Sequence, residues 1–415
     1  MLRRIPFLLL GLVLVIAAFS TGLSFLFYLL YLAILVIGGS YVVTRLGLSD
    51  LEAGYAVSQL HAHVGEQLRL TYTLRNAGPI PKPWLEIHNP TSLPGGLPGR
   101  AIALGPRAER SWLVRAPLTR RGHYRIEPLT IRTGDPFGLF ESVASVGRGV
   151  SVVVYPRIER LPHWRLPAAD LEGSHAMPVR TLQTTPLATT VRPWAPGDGM
   201  NRIHWKTTAR FGEIQVKEFD LEQTADAWLF LDLESGIQDG AGDESTAEAA
   251  IRVAASVADR AIVENRAVGL TVNAHRSAVL PSDRGARQHL KIMQLLAAVQ
   301  PDGQAPLVEA LLTGLGRVRR GMTAVVVTPS LETAWIRPLA GLRARGVGCV
   351  VVHVDPLAYA RHAITAGLPG AVPLAPEDEE SMAQRARALR HALAEYELRS
   401  VTVLPTRPLA EALVL

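Results

Sequence analysis

The sequence is poor in cysteine and in lysine, and each shortage excludes a class of protein. Its 415 residues contain one cysteine, Cys349, so the chain has no internal disulfide framework. Cys349 lies in the apolar segment GVGCVVVHVD, which predicts a buried strand residue rather than a catalytic thiol. The formal net charge of +6 is carried almost wholly by arginine. Without a recognised nucleic-acid-binding motif, this modest basic excess argues against binding to DNA or RNA.

Charged residues are also missing from the whole stretch between Arg4 and Arg45. So long an apolar run excludes a soluble helix and is too long for a signal peptide alone. It predicts a hairpin of two transmembrane helices, Ile5–Phe19 and Leu23–Val43, joined by Ser20-Thr21-Gly22. Because arginines flank its outer ends, the positive-inside rule places both ends and the soluble domains in the cytoplasm, on the inner or plasma membrane. A cleaved signal followed by one anchor is the alternative, and it would place the soluble part outside.

After the hairpin of residues 1–48, residues 50–156 predict an immunoglobulin-like β-sandwich. Gln67–Arg75 alternates apolar and polar side chains and is followed by turn-forming residues, as in a half-buried antiparallel strand. Trp84 and Trp112 occupy strand positions, so both are expected to be core aromatics rather than ligand platforms. Four further segments have strand patterns: Trp84–His88, Ser111–Ala116, Tyr124–Ile131 and Val150–Tyr155.

Residues 157–226 read as a connector, and residues 227–415 predict an α/β domain. Continuous apolar strands that alternate with amphipathic helices are typical of a parallel, doubly wound sheet covered on both faces. The predicted strands are Trp228–Leu233, Val268–Val272, Thr323–Thr328 and Val347–Val354. The predicted helices are Ser245–Asn265, Arg287–Val299, Leu307–Val318, Thr333–Arg345 and Glu380–Leu398.

The connector ends in an unusual segment, Val191–Asp220, in which charges are interleaved with aromatics. Its Pro and Gly residues predict a turn, followed by a short helix within Asn201–Arg210 and an edge strand at Ile214–Phe219. Charged and aromatic residues without a clean period are typical of a specific site or interface. The residues predicted to form this surface are Arg192, Trp194, Gly197, Asp198, Arg202, His204, Trp205, Lys206 and Arg210. We expect Asp198 to be held by one of the neighbouring arginines, and the segment to pack between the two domains.

This segment resembles the motif of the bacterial domain-of-unknown-function 58 family. The motif runs as Arg, an aromatic, Gly-Asp, then Arg, Ile and Trp, and then a small residue and Arg. The matching residues here are Arg192, Trp194, Gly197, Asp198, Arg202, Ile203, His204, Trp205, Thr208, Ala209 and Arg210. Two further pieces also look like the family: Arg121-Gly122-His123-Tyr124 leading into the run Gly134–Phe140, and Val153–Arg157. The resemblance implies that the last domain is similar to a von Willebrand factor A domain.

Von Willebrand factor A domains hold a metal ion through Asp-x-Ser-x-Ser after the first strand, a later Thr and a later Asp. Here Asp232 is followed by Glu234 and Gly236 at the two Ser positions. Ala305 stands where the Thr is expected, and Thr328-Pro329-Ser330 stands where the later Asp is expected. The oxygens of Asp232, Glu234 and Ser235 could still bind a hard cation, with Asp232 as a weak candidate, but this local cluster lacks the distant ligands. The prediction is that the domain uses neither a metal nor another cofactor.

These features predict a non-enzymatic, membrane-anchored scaffold or adaptor that binds proteins on its cytoplasmic side. The family resemblance implies a MoxR-type AAA+ ATPase and a transglutaminase-like membrane protein as partners. An alternative is a hydrolase-like enzyme that uses the group Asp198, Arg202, His204 and Lys206, with His204 facing Asp198 in an open cleft. A third hypothesis is a cation-dependent, adhesion-type binder, which requires Asp232 to be a metal ligand.

Overall fold

The computed structural model describes residues 5–166, 190–195, 200, 203–218, 226–275 and 277–414. The chain forms two compact units. The first comprises Met1–Arg157 and Met293–Ala298, and the second comprises Ile158–Ile292 and Val299–Leu415.

The first unit begins with two apolar helices, α1 (Ile5–Thr21) and α2 (Ser24–Gly47). Gly22, with a φ of +69°, turns the chain between them. The rings of Phe19 and Phe27 meet edge to face, with centroids 5.4 Å apart. Among the described helices, α2 is long and apolar enough to cross a membrane. It continues past Val43, where the predicted transmembrane segment ends, to Gly47.

The rest of the first unit is built from β-strands. The described strands β1 to β10 are Leu51–Val57, His61–His63, Gln67–Asn76, Lys82–His88, Arg100–Leu104, Glu109–Pro117, Gly122–Ile126, Leu129–Gly134, Glu141–Val146 and Val150–Tyr155. They form three sheets, with the strand orders β1-β3-β6, β2-β10-β7 and β5-β4-β8-β9. In β3 the buried residues Leu68, Leu70 and Leu74 alternate with exposed ones. This alternation directs one face of each sheet into a shared apolar core.

Two details of this unit differ from the sequence prediction. Tyr124–Ile131 is not one strand but parts of β7 and β8, because Pro128 cannot donate to a ladder and the chain turns there. Trp84 is not a core residue, since its side chain is 42% exposed. Trp112 stacks on Tyr72 with ring centroids 5.3 Å apart, and the Arg100 guanidinium lies over the Trp112 ring at 5.4 Å. Trp112 is partly buried and packs against the apolar core, as predicted.

The second unit contains a small ribbon and a larger α/β sheet. The ribbon consists of β11 (Thr190–Pro193), α3 (Trp205–Phe211) and β12 (Gln215–Glu218). The described strands β13 to β20 that follow are Ala227–Asp232, Gly240–Ala241, Glu244–Ser245, Val268–Asn273, Ala278–Asp283, Thr323–Thr328, Gly348–Val354 and Arg399–Val403. The described helices α4 to α10 are Thr246–Val263, Gly285–Ala298, Leu307–Leu315, Ile336–Ala344, Pro356–Thr365, Pro376–Glu395 and Leu409–Ala412.

Six strands form the main sheet in the order β17-β16-β13-β18-β19-β20. β16, β13, β18, β19 and β20 are parallel, whereas β17 pairs antiparallel with β16 at the edge. The sheet is therefore mixed rather than wholly parallel as predicted. β17 contains Pro281 and half-exposed residues, so it lacks the continuous apolar run of the other strands.

The central strands of this sheet are buried on both faces. One face carries Trp228, Phe230 and Val326, which share an apolar core with helices α6, α7 and α9. The alanine-rich helix α4 packs on β13 and β18. Burial on both faces explains why Ala227–Asp232, Thr323–Thr328 and Gly348–Val354 are apolar at almost every position.

Candidate functional site: a two-stranded module and the carboxyl edge of the sheet

The unusual segment forms a compact β11–α3–β12 module. β11 and β12 pair antiparallel, with Arg192 opposite Val216 and Pro193 opposite Gln215. The Trp194 N–H donates to the Ile214 carbonyl at 2.8 Å and closes the ribbon. The helix ends at Gly212, whose φ of +76° is the left-handed conformation that glycine adopts without strain.

His204 caps the helix of this module. Its Nδ1 accepts a hydrogen bond from the Thr207 backbone N–H at 3.2 Å and lies 2.6 Å from the Thr207 hydroxyl. The His204 N–H donates to the Gln215 carbonyl at 2.8 Å, which ties the start of α3 to β12. The helix therefore begins at Trp205 and not at Asn201, because the side chain that supplies the cap is His204. One ring nitrogen of His204 thus has a structural role.

Most of the apolar side chains of the module are on its surface. Ile203 and Val216 are buried, whereas Trp205 and Phe211 are each 68% exposed and Trp194 is 43% exposed. The side chains of Lys206 and Arg210 are exposed on the same helix. Among the described residues of the module, Val191, Met200 and Ile214 are further large apolar residues that are exposed. Because the core of the module is so small, the folding of the module alone does not explain why these aromatic side chains are exposed.

The structure locates some of the predicted surface residues and not others. Arg192 is half-buried, and its Nη1 donates to the Pro193 carbonyl at 3.1 Å. Gly197, Asp198 and Arg202 lie outside the described residues, so the expected contact between Asp198 and an arginine stays a prediction. The same is true of the enzymatic alternative, which requires Asp198 opposite His204.

The second feature is the carboxyl edge of the parallel sheet, where the strand order reverses around β13. Asp232, at the end of β13, is fully buried. The Thr328 hydroxyl donates to its Oδ2 at 2.7 Å, the Asn273 amide donates to its Oδ1 at 3.1 Å, and the Glu234 N–H donates to Oδ1 at 3.3 Å. Thr328 in turn accepts a hydrogen bond from the Ser330 N–H at 2.9 Å. These contacts link the ends of the three adjacent strands β16, β13 and β18.

Burial dominates the electrostatics of this edge. Burial raises the pKa of Asp232, although hydrogen bonds from Thr328, Asn273 and the Glu234 N–H act in the opposite direction. Burial also raises the pKa of Glu234, and the neighbouring carboxylates of Asp232 and Glu332 add to the rise. The carboxylate of Asp232 is thus satisfied by protein donors. The described residues contain no group of three or more His, Cys, Asp or Glu side chains arranged to hold a metal ion.

Sequence interpretation did not identify Asn273 or His353, which also lie at this edge. Asn273 is buried, and its amide donates to both Asp232 and the Ala305 carbonyl, whereas its Oδ1 accepts no hydrogen bond from the described part of the chain. Burial lowers the pKa of His353 to about 4, so its imidazole is neutral at physiological pH. Each is a polar residue within or at the end of a buried, apolar strand. A polar residue in such a run is the sequence feature that could have identified them.

At the opposite end of the sheet, a pocket of about 830 Å³ is lined by three arginines, Arg317, Arg319 and Arg320. Asp226 lies on its wall and forms an ion pair with Arg284 at 3.0 Å. Three guanidinium groups within four residues favour an anionic group in this pocket. The run Arg317-Val318-Arg319-Arg320 was visible in the sequence, but its position beside a pocket depends on the fold.

Comparison with known proteins identifies the family. The model of the family described as "Protein of unknown function DUF58" matches residues 190–364, which include the β11–α3–β12 module and most of the α/β sheet. The uncharacterized protein YeaD of Bacillus subtilis is 26% identical over 318 residues, which cover 74% of this chain and 76% of YeaD. The chain therefore contains a DUF58 region. An uncharacterized protein of Mycobacterium bovis is 25% identical over 171 residues, and this match spans 40% of the chain and 54% of that relative's length.

Solved structures resemble parts of this DUF58 protein only weakly. The CARDB domain of the PF1109 protein of Pyrococcus furiosus, solved in complex with di-metal ions, has a TM-score of 0.20 and 21% identity. It covers 25% of this chain and 92% of that domain. The DNA glycosylase AlkC of Pseudomonas fluorescens has a TM-score of 0.19 and 14% identity over 29% of this chain. Scores at this level carry no inference about function.

Proposed function

We propose that this DUF58 protein is a membrane-anchored scaffold that binds other proteins through the β11–α3–β12 module of its second unit. The observation that carries the proposal is the exposure of Trp205 and Phe211, each 68%, on a module that buries Ile203 and Val216. Exposed tryptophan and phenylalanine beside the cations Lys206 and Arg210 have the composition of protein-binding hot spots. A protein partner that covers these rings would supply the burial that the module lacks.

The α/β sheet supports the proposal that the second unit has a von Willebrand factor A-like fold. Numbered along the chain within this sheet, its strands lie in the order third, second, first, fourth, fifth and sixth, with the third antiparallel. The reversal of strand order at β13 places Asp232 at the usual ligand position of such sheets. Thr328 and Asn273 donate hydrogen bonds to the Asp232 carboxylate, which supports the proposal that this domain binds its protein partner without a metal ion.

The membrane arrangement that we propose is a hairpin of α1 and α2 with both soluble units in the cytoplasm. α2 spans about 36 Å and α1 about 26 Å at roughly 1.5 Å per residue, against a hydrocarbon core of about 30 Å. Arg45, exposed near the end of α2, supports the cytoplasmic placement. A reporter fused directly after the hairpin tests it. Cytoplasmic reporter activity is expected, whereas alkaline phosphatase activity would contradict the hairpin.

As partners we propose a MoxR-type AAA+ ATPase and a transglutaminase-like membrane protein, with the ATPase acting on a complex that the scaffold holds at the membrane. The test is co-purification of the full chain with the ATPase from native membranes, with and without ATP. Trp205→Ala and Phe211→Ala should reduce the recovered ATPase at least several-fold, because they remove the exposed rings. Val263→Ala is a matched control, since Val263 is 71% exposed on α4 of the same unit. Equal loss with all three variants, or no loss with any, would contradict the proposal.

A further inference from the structure

The end of α2 is fixed directly to the β-sandwich of the first unit. Lys82 of β4 is buried, and its ammonium donates to the Leu46 carbonyl in the last turn of α2 and to the Ser49 hydroxyl at 3.2 Å. The Leu46 carbonyl also accepts hydrogen bonds from the Ser49 N–H at 3.2 Å and the Ser49 hydroxyl at 2.9 Å, and a cation at the end of the helix complements the helix dipole. Gly47 lies so close to Thr133 that a Cβ on Gly47 would be 2.7 Å from the Thr133 methyl group. The sandwich therefore has a fixed position at the end of this helix.

The β8–β9 hairpin carries a loop, Gly134–Phe140, that runs back alongside α2. The ring of Phe140 meets the ring of Tyr41 edge to face, with centroids 5.7 Å apart. Tyr41 precedes the helix end at Gly47 by six residues, which is about 9 Å along the axis. α2 is longer than a hydrocarbon core by about four residues. Phe140 therefore reaches the level of the helix at which the membrane boundary is expected.

Asp135 holds the loop in one conformation. Its Oδ2 accepts from the Phe137 N–H at 2.9 Å, and its Oδ1 accepts from the Phe140 N–H at 2.6 Å. The Gly138 N–H donates to the Asp135 carbonyl at 3.1 Å, which closes a tight turn with Pro136 at its second position. Burial acts to raise the pKa of Asp135, but the N–H groups of the loop outweigh it and hold the pKa below its usual range. The carboxylate is thus ionised and the loop is ordered.

The tip of the loop is apolar and exposed, whereas its base is charged. Phe137 at the tip is 63% exposed, and the run from Pro136 to Phe140 contains no charged residue. At the base, Arg132 and Glu141 form an ion pair at 2.7 Å. An aromatic tip above a charged base, held beside an apolar helix, is the arrangement of a segment that enters the interface of a bilayer.

We infer that the Pro136–Phe140 loop is a second membrane contact, in which Phe137 enters the headgroup region of the same bilayer that α2 crosses. This inference rests on the proposed function in one respect, that α2 spans a membrane. The occupant is lipid, because Phe140 of the loop contacts Tyr41 of α2, and the apolar side chains of Tyr41 and Val42 on that helix are 55% and 51% exposed. The loop and Lys82 together fix the first unit against the membrane surface.

Depth-dependent quenching of single fluorescent labels tests this inference. In a Cys349→Ala background, an environment-sensitive fluorophore is attached to Phe137→Cys, to Tyr28→Cys within α2, or to Leu113→Cys on β6. Tyr28 and Leu113 are 71% and 48% exposed, so each site accepts a label. The full chain is reconstituted into vesicles of phosphatidylcholine and phosphatidylglycerol. Quenching is measured with aqueous iodide and with lipids that carry a nitroxide at a shallow or a deep position.

The expected result is that the label at position 137 is quenched by the shallow nitroxide and is several-fold less accessible to iodide than the label at position 113. A label at position 137 as accessible to iodide as that at position 113, while the label at position 28 is quenched by the deep nitroxide, overturns the inference alone. If iodide also reaches position 28, α2 does not cross the bilayer. That outcome overturns both the membrane contact and the anchor of the proposed function.

Discussion

Replacement of Thr328 by valine tests whether the carboxyl edge of the sheet is a hydrogen-bonded link between strands. Valine keeps the shape of threonine but removes the donor to Asp232 Oδ2 and the acceptor of the Ser330 N–H, which are 2.7 and 2.9 Å from the hydroxyl. Thr328 is fully buried, so water does not replace either contact. At roughly 1 to 3 kcal/mol for each buried group left unsatisfied, Thr328→Val should lower the free energy of unfolding by about 2 to 4 kcal/mol.

The loss should depend on pH in a defined direction. Because the pKa of Asp232 is raised in the folded state, its contribution to stability is full below its unfolded pKa and falls as the pH rises toward the folded pKa. The Thr328 hydroxyl stabilises the ionised carboxylate, so its removal raises the folded pKa further. The difference between Thr328→Val and the parent should therefore be larger at mildly alkaline than at mildly acidic pH.

Urea unfolding of the full chain in detergent, followed by tryptophan fluorescence, measures these differences. Thr328→Ser is the matched control, because it keeps the hydroxyl and loses a methyl group worth about 0.8 kcal/mol. If Thr328→Val and Thr328→Ser unfold at the same urea concentration at both pH values, the hydrogen bonds to Asp232 do not stabilise the sheet. The reasoning would then be refuted.

Three further outcomes follow from the second unit. Gly314→Ala should destabilise the chain by about 1 to 3 kcal/mol, because the added Cβ would strike the Phe230 ring. Gly341→Ala should stabilise its helix by about 0.5 to 1 kcal/mol, because a Cβ at Gly341 meets no neighbouring atom. If the melting temperature shifted in the same direction for both variants, this reasoning would be contradicted. Mg²⁺ and Mn²⁺ should leave the melting temperature unchanged, and a shift that Asp232→Ala abolishes would show that the edge binds a cation. Cys349 should resist maleimide in the native chain, because burial raises the pKa of its thiol to about 12; rapid modification detected by mass spectrometry would show that the strand is accessible.

Patterns that depend on neighbouring residues could be predicted from the sequence. The uncharged run after Arg4 predicted apolar helices, and α2 is one that can cross a membrane. Apolar strands such as Thr323–Thr328 were predicted with their correct bounds, since burial on both faces leaves a continuous apolar run. Cys349 is buried in a strand, as its surroundings indicated. Each of these features is encoded within a single element of secondary structure.

Edge and surface positions were harder to predict. β17 was missed because an edge strand needs no continuous apolar run, and Trp84 is exposed although it occupies a strand position. Alternation shows that a strand has two faces but does not show which face meets the core. His204 was identified as a residue of interest, but its capping role depends on where the helix begins.

The sequence by itself determined the membrane-length helix, the two classes of domain and the unusual composition of the Val191–Asp220 segment, because each is a property of a continuous stretch. Only the tertiary structure decided which groups meet. Asn273 and Thr328 are 41 and 96 residues from Asp232 along the chain, and the order of the parallel strands brings them to one carboxylate. Likewise, β8 and β9 carry Phe140 to Tyr41 of α2. Contacts between distant residues depend on the packing of whole elements, which no local pattern records.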